Sequence, residues 1–359
     1  YAWKFPPKKE ITTIREIVIQ VGRTGILTPV ALLDPIEIGG VTVSRATLHN
    51  ENEVKEKDVR PGDKVRVIRA GDVIPEVAEL AEKKKKREKP FKMPEKCPVC
   101  NTKVVQEGAY TICPAGLSCR AQLVGHIEHF ASQSAINIEE LGRKTIEQLV
   151  EQEMVKELPD LYKLKAEKLK ELNGYAEKSA QKLYESIQDS GKPELHRFLY
   201  ALGIRHVGEH IARLLAGEFG TLEKIKDAEY DKLVEIDEIG PEIAKSISHF
   251  FSTDENREML EKLMKSGIEI QEQSGKQKQL LKGKTIVLTG ELESYSREEA
   301  KQKIESLGGR ATSSVSSNTD YLVKGENPGS KLDDAKEEGT EIIEEEQFKK
   351  LLKKRKVGK

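Results

Sequence analysis

The sequence predicts a multidomain α+β protein in which a small β-barrel, a metal-binding finger, an all-α repeat and an α/β domain follow one another. Three observations carry that expectation. Short β-rich runs separated by turn signals fill the chain to about residue 82, all four cysteines fall between Cys97 and Cys119, and an apolar-plus-glycine corner recurs four times between His126 and Gly267. At 359 residues the chain has room for two to four such domains.

The totals narrow the class. Sixty basic and 61 acidic residues make 34% of the chain charged, while only 5% is aromatic, so the protein is rich in Lys/Glu surface; a thermophilic source would suit that. A net charge of -1 leaves room for local basic faces, which are what nucleic acid responds to. No apolar run reaches membrane-spanning length, and no signal peptide is visible. Cysteines clustered in 23 positions suggest a metal site in a reducing compartment, hence a cytoplasmic protein without membrane association. The first residue is Tyr1, which points to a fragment or a processed product.

In chain order, residues 1–9 read as the frayed end of something upstream. Residues 10–82 alternate strands and turns: Ile14–Ile19 and Lys64–Ile68 are β-rich, and Pro61-Gly62-Asp63 and Ile38-Gly39-Gly40 are turn signals. Several short strands in about 70 residues fit a closed barrel of the OB type. Within it Val21-Gly22-Arg23-Thr24-Gly25 and Ile68-Arg69-Ala70-Gly71-Asp72-Val73-Ile74-Pro75 each set an arginine beside glycine. Arginines so placed either clamp phosphates or solvate a barrel rim. The run 83–92, KKKKREKPFK, is expected to be a solvated basic hinge.

Residues 93–124 hold Cys97-x2-Cys100-x12-Cys113-x5-Cys119. Tight cysteine pairs let four thiolates meet one Zn²⁺ tetrahedrally, which leaves no position for a substrate water. The metal is therefore expected to be structural, replacing a core that so short a segment lacks.

In residues 125–270 the corners are Leu141-Gly142 with Ile146, Tyr175-Ala176 with Ala180, Val207-Gly208 with Ala212, and Ile239-Gly240 with Ala244. Successive corners are 34, 32 and 32 residues apart, the signature of a stacked unit. Glycine in the turn lets the next helix present its N–H groups outward, and such a nest favours an anion. This is the helix-hairpin-helix pattern, whose usual anion is a DNA phosphate read without regard to base. A plain helical repeat with capping glycines is the alternative. The first glycine of each Gly-apolar-Gly survives only as Gly174, with Glu140, His206 and Glu238 elsewhere, so the second and third corners are expected to be the better contacts.

Residues 271–279 read as a flexible polar linker. In residues 280–359, strands at Lys284–Gly290, Asp320–Lys324 and Ile342–Ile343 alternate with helices at Arg297–Leu307, Lys331–Glu338 and around Phe348, Leu351 and Leu352. That alternation predicts a small parallel sheet with helices on both faces.

Laid out in this order, the chain resembles the C-terminal half of the bacterial NAD-dependent DNA ligases. The residues that carry the resemblance are KFP, VGRTGILTPVA, ATLHN, IRAGDVIP, CPVC…CPAGLSC, and LTGELESYSREEAK…LGG…TDYLV…NPGSKLDDA, the last similar to BRCT domains. The resemblance implies an enzyme that uses NAD and Mg²⁺ to adenylate a lysine and then seals nicks in duplex DNA during replication and repair. That lysine lies in a K-x-D-G motif, and none occurs here, so this chain is expected not to adenylate itself. It further implies that residues 1–9 are the tail of an adenylation domain, with Lys4 a remnant nucleotide-phosphate contact. Arg23, Thr24, Arg69, Val73 and Ile74 become DNA contacts, beside Gly142, Gly174, Ala176, Gly208 and Gly240 at the corners. Cys97, Cys100, Cys113 and Cys119 become zinc ligands, and Thr289, Gly290 and Lys331 a phosphate site in the BRCT unit. The expected partners are nicked duplex DNA and the adenylation half, for a monomer associated with a bacterial nucleoid. The rival reading is a non-catalytic, DNA-tethered protein that uses its BRCT unit to bind a partner. A metal-dependent nuclease or polymerase is disfavoured, because the carboxylates alternate with lysines on helix surfaces instead of clustering.

Overall fold

The computed structural model describes residues 8–69, 75–272, 281 and 283–353. Alternation does what it predicts at Lys64–Ile68: Val65 and Val67 turn inward and are fully buried, because successive side chains of a strand face opposite ways. Five strands, β1 (Lys8–Val21), β2 (Leu27–Ile38), β3 (Val41–Thr47), β4 (Lys64–Arg69) and β5 (Pro75–Glu82), close in the order β1-β2-β3-β5-β4. Helix α1 (Glu51–Lys57) joins β3 to β4, capped by the Asn50 side chain on Glu53 N–H. Ile14, Leu33, Ile38, Leu48, Val54 and Val77 fill the interior with Val65 and Val67. Lys8 and Lys9, expected in a frayed tail, belong to β1 and pair with Arg69 and Ile68. Lys4, Val73 and Ile74 lie outside the described residues.

The basic run 83–92 is not the hinge its composition suggested. Arg87 reaches back to the barrel, where its guanidinium bonds Asp63 at 2.8 Å, the Asp58 carboxylate at 2.7 Å and the Asp58 carbonyl. Arg60 donates to the Glu88 carbonyl at 2.7 Å and Lys84 N–H to Asp63 at 2.9 Å, while Phe91 packs on the barrel core. Asp63 has no exposed surface, and a carboxylate in that position needs its partners. Burial opposes its charge, but hydrogen bonds from Arg87, Lys84 and Arg60 prevail and hold its carboxyl below the usual range.

The finger carries a two-stranded ribbon, β6 (Val105–Glu107) and β7 (Tyr110–Ile112), and leads into α2 (Arg120–Ala131). The repeat then runs through α3 (Arg143–Glu151), α4 (Ala166–Leu169), α5 (Glu177–Asp189), α6 (Leu195–Ala201), α7 (Glu209–Phe219), α8 (Leu222–Lys226), α9 (Tyr230–Val234), α10 (Pro241–Ser252) and α11 (Asp254–Lys265). The repeat region is not one body. Residues 1–192, 201–203 and 253–269 form one compact unit, and residues 193–200, 204–252 and 270–359 form the other. The first two corners thus fall in one unit and the last two in the other.

The terminal domain comprises β8 (Thr285–Thr289), α12 (Arg297–Ser306), β9 (Arg310–Thr312), β10 (Tyr321–Lys324), α13 (Lys331–Glu337), β11 (Glu341–Glu344) and α14 (Glu345–Lys353). Its sheet is parallel in the order β11-β10-β8-β9. Ala300 and Ile304 of α12 and Phe348 of α14 pack with Ile286, Leu288 and Val323, whereas Ala335 of α13 packs with Val287 and Leu322. Residues alternate along β8 and β10 between these two cores, so helices cover both faces as expected. No helix among the described residues is long and apolar enough to cross a membrane.

Candidate nucleic-acid interface

All four corners share one backbone. Glu140, Gly174, His206 and Glu238 take φ of +64°, +85°, +66° and +68°. Only the second is glycine, and an L residue in this left-handed region costs about 1 kcal/mol, so three corners hold strain that the surrounding structure imposes. Two residues on, the backbone is extended at Gly142, Ala176 and Gly208, and a helix begins. Four residues further, Ile146, Ala180, Ala212 and Ala244 are fully buried, which anchors each helix start in its core.

The glycines at positions 142, 208 and 240 have no local reason to be glycine. Their φ angles are not left-handed, and a Cβ at any of them would meet nothing within 4 Å. At Gly142, Ala176 and Gly208 no side chain caps the helix, although Ser, Asp or Asn would do so better. Bare amides of a helix N-terminus therefore face open space at Gly142 and Gly208, whereas the Ala176 N–H is taken by the Ser179 hydroxyl at 2.9 Å.

Charge separates corners that the backbone makes alike. The first has Arg143 tied to Glu128 at 2.7 Å and Glu147 at 3.0 Å. The third carries Arg205 and His206 ahead of Glu209, whereas the fourth carries Asp237, Glu238 and Glu242. Contacts couple the corners in pairs. Gln148 of α3 bonds both backbone groups of Asn173, Thr145 meets the Tyr175 hydroxyl at 2.9 Å, and His210 Nε2 lies 3.0 Å from Glu238 Oε2.

In the finger the four sulfurs lie within 4.8 Å of one another, with Cys100–Cys113 at 3.4 Å and Cys97–Cys119 at 3.9 Å. Thiolates around one tetrahedral zinc sit about 3.8 Å apart, whereas a disulfide needs about 2 Å. Asn101 and Gly116 take left-handed φ after each cysteine-bearing turn. Burial, with the neighbouring thiols adding to it, pushes Cys113 up to about 12. At Cys100 burial acts the same way, but hydrogen bonds with Thr102 outweigh it and bring the thiol down to about 6. A cation is what lets four such sulfurs ionise together, so the donor set fits a divalent, thiophilic metal held by Cys97, Cys100, Cys113 and Cys119.

At the barrel, Thr24 is exposed, while Arg23 is half-buried against α2: a Cβ on Gly125 would lie 3.2 Å from the Arg23 Cα and Cβ. Arg69 ends β4 opposite Pro75. In the terminal domain Thr289 is buried at the end of β8, and Gly290 (φ +77°) is required because a Cβ would strike the Glu326 carbonyl at 2.4 Å. Burial, and then the charge of Arg297, depress the Lys331 ammonium. Arg297, which donates to the Leu288 carbonyl at 3.0 Å, is the residue sequence reading missed here. Its position eight residues beyond Thr289, at the start of a helix, was the available signal.

These modules define a class: a modular protein with an OB barrel, a four-cysteine finger, tandem helix-hairpin-helix corners and an α/β domain of the BRCT kind. Family models match the barrel, the helical repeat and the terminal domain. Residues 11–89 match the NAD-dependent DNA ligase OB-fold domain, 132–189 the SAM-like helix-hairpin-helix tandem, 197–260 the helix-hairpin-helix motif, and 276–352 the BRCA1 C Terminus (BRCT) domain. Similar relatives are the DNA ligases of Coxiella burnetii (49% identical over 355 residues), Nitrosococcus oceani (48% over 356) and Halothermothrix orenii (47% over 358). Each alignment covers 98% of this chain and 53% of the relative. Over nearly its whole length the chain is thus similar to DNA ligases, with a barrel that matches the NAD-dependent kind, and it spans about half the length of the curated relatives it matches.

Proposed function

We propose that this chain is the DNA-clamping part of an NAD-dependent DNA ligase that seals nicks in duplex DNA. The observation that carries the reading is the set of glycines at 142, 208 and 240, which neither the backbone nor any neighbour demands and which at 142 and 208 leave helix amides bare. A phosphate is the partner that uses such a surface, and contacts through main-chain amides suit an enzyme indifferent to sequence. In this reading Gly142, Gly174, Ala176, Gly208 and Gly240 line phosphate contacts, with Gly240, among Asp237, Glu238 and Glu242, contributing least, and Arg23, Thr24, Arg69, Val73 and Ile74 grip the duplex from the barrel.

Zn²⁺ is the metal we assign to Cys97, Cys100, Cys113 and Cys119, in a structural role since all four positions are protein thiolates. Bond formation belongs to the rest of the enzyme: the sequence contains no K-x-D-G to carry the adenylated lysine, so NAD and Mg²⁺ act through the adenylation half. Thr289, Gly290 and Lys331, with Arg297 added, form an anion site for a phosphate on DNA or on a partner. The protein is proposed to act as a monomer in the bacterial cytoplasm, at the nucleoid. Mixing the chain with a separately made adenylation half should restore sealing of a nicked duplex, and duplexes of scrambled sequence should bind alike. Binding confined to one sequence, or no sealing despite a charged adenylation half, would defeat the reading.

A further inference from the structure

We propose that Gly25 is a positioning residue through which the four-cysteine site sets the barrel turn carrying Arg23 and Thr24; this rests on the DNA-contact reading above. The turn between β1 and β2 is clamped from two sides. On one side the Gly25 carbonyl accepts the Cys113 N–H at 2.9 Å, and Ile26 bridges to Ile112. Gly25 has φ +82°, and a Cβ there would lie 2.5 Å from the Cys113 carbonyl oxygen and 3.1 Å from Gln122 Oε1. Gln122, itself buried, donates to that same Cys113 carbonyl at 3.0 Å, so backbone and side chain close around one ligand residue. Val21 and Leu27, the strand ends flanking the turn, share a core with Cys97, Cys113 and Cys119.

On the other side Arg23 packs against Gly125 of α2, a helix whose N-cap is Cys119. Both walls of the clamp therefore start at sulfur ligands: Cys113 holds the turn directly and Cys119 begins the helix that Arg23 leans on. The four-sulfur site does more than hold its own finger together. Its geometry is passed to the two side chains that the barrel offers to DNA, so metal binding and DNA binding are linked, and linkage between two binding events runs both ways.

Zinc affinity of the full chain is measured by equilibrium competition with a chromogenic chelator, with and without saturating nicked duplex. Coupling predicts that DNA tightens apparent zinc affinity by about tenfold, and that Arg23→Ala removes most of that gain. Equal zinc affinity with and without bound DNA overturns the inference while leaving the DNA-clamp reading intact; a chain that binds no DNA even at low salt overturns both. A double-mutant cycle adds the residue-level test. Gly25→Ala should keep its metal and its circular dichroism yet weaken DNA binding about tenfold, and in an Arg23→Ala background it should add at most about twofold. Full additivity would mean that Gly25 does not act through Arg23. Should Gly25→Ala fail to fold, the zinc competition on the unmodified chain decides alone.

Discussion

Arg87 lies 2.8 Å from Asp63, and His210 lies 3.0 Å from Glu238, but these two contacts sit in opposite surroundings. Asp63 has no exposed surface and Arg87 keeps only 14% of its side chain in water, whereas His210 and Glu238 are 58% and 60% exposed. In the first pair charge is scaffold: removing one partner strands the other in a low-dielectric place. In the second it is a surface pair of little intrinsic strength, placed where it alters what the fourth corner offers to an anion. The difference teaches how the molecule divides labour. Buried groups hold turns in shape, and in the proposed reading exposed groups set how strongly each corner would attract phosphate.

That division can be broken at the scaffold end first. Arg87→Ala should destabilise the barrel-bearing unit by about 2–3 kcal/mol in chemical denaturation and open the 83–92 run to proteolysis, since Asp63 and Asp58 lose the group that straps it. Acid should act on the scaffold next. Burial, followed by the charges of Arg23 and His129, brings His126 down to about 4 from its usual 6.5. The unfolded chain therefore takes up a proton between pH 6.5 and 4 that the folded chain refuses, and stability falls as pH drops through that window by about 2 kcal/mol. The depressed Asp63 carboxyl adds to the loss where carboxylates protonate. His126→Gln should flatten the upper part of the pH–stability curve, and an unchanged curve would remove His126 from the scaffold.

At the exposed end the effects move from stability to binding. Gly208→Asp places a carboxylate where space is open and φ is ordinary, so it should cap α7, leave stability unchanged or slightly raised, and weaken DNA binding about tenfold. Gly240→Asp should change binding by less than about threefold, because the fourth corner is already acidic. Glu238→Lys should have the smallest effect, a gain of at most about 1.5-fold at low salt that fades as salt rises. A loss on Glu238→Lys would show that the His210 pair, and not the local charge, matters there.

Much of this was legible in the residues. The period of the corners, the buried Ile146, Ala180, Ala212 and Ala244, the cysteine spacing and the strand alternation at Val65 and Val67 are local signals, and each landed where expected. What escaped was long-range or imposed. Lys83 to Lys92 looks like solvated charge because its acidic partners stand 21 to 29 residues upstream in chain order, with no period to announce them. Glu140, His206 and Glu238 have no local preference for left-handed φ, and only their alignment with Gly174 pointed to the conformation that the corners impose on them. Arg297 was passed over because its role depends on α12 and α13 bringing it near Lys331, which no spacing rule encodes.

The most direct test of the claim that bare helix amides grip phosphate is a salt titration of binding to a nicked duplex, run on the wild-type chain, Gly208→Asp and Gly240→Asp. The account predicts that log K falls steeply with log salt, that Gly208→Asp reduces the slope by about one phosphate contact, and that Gly240→Asp leaves it unchanged. A shallow wild-type slope, or the same slope for all three chains, would contradict it.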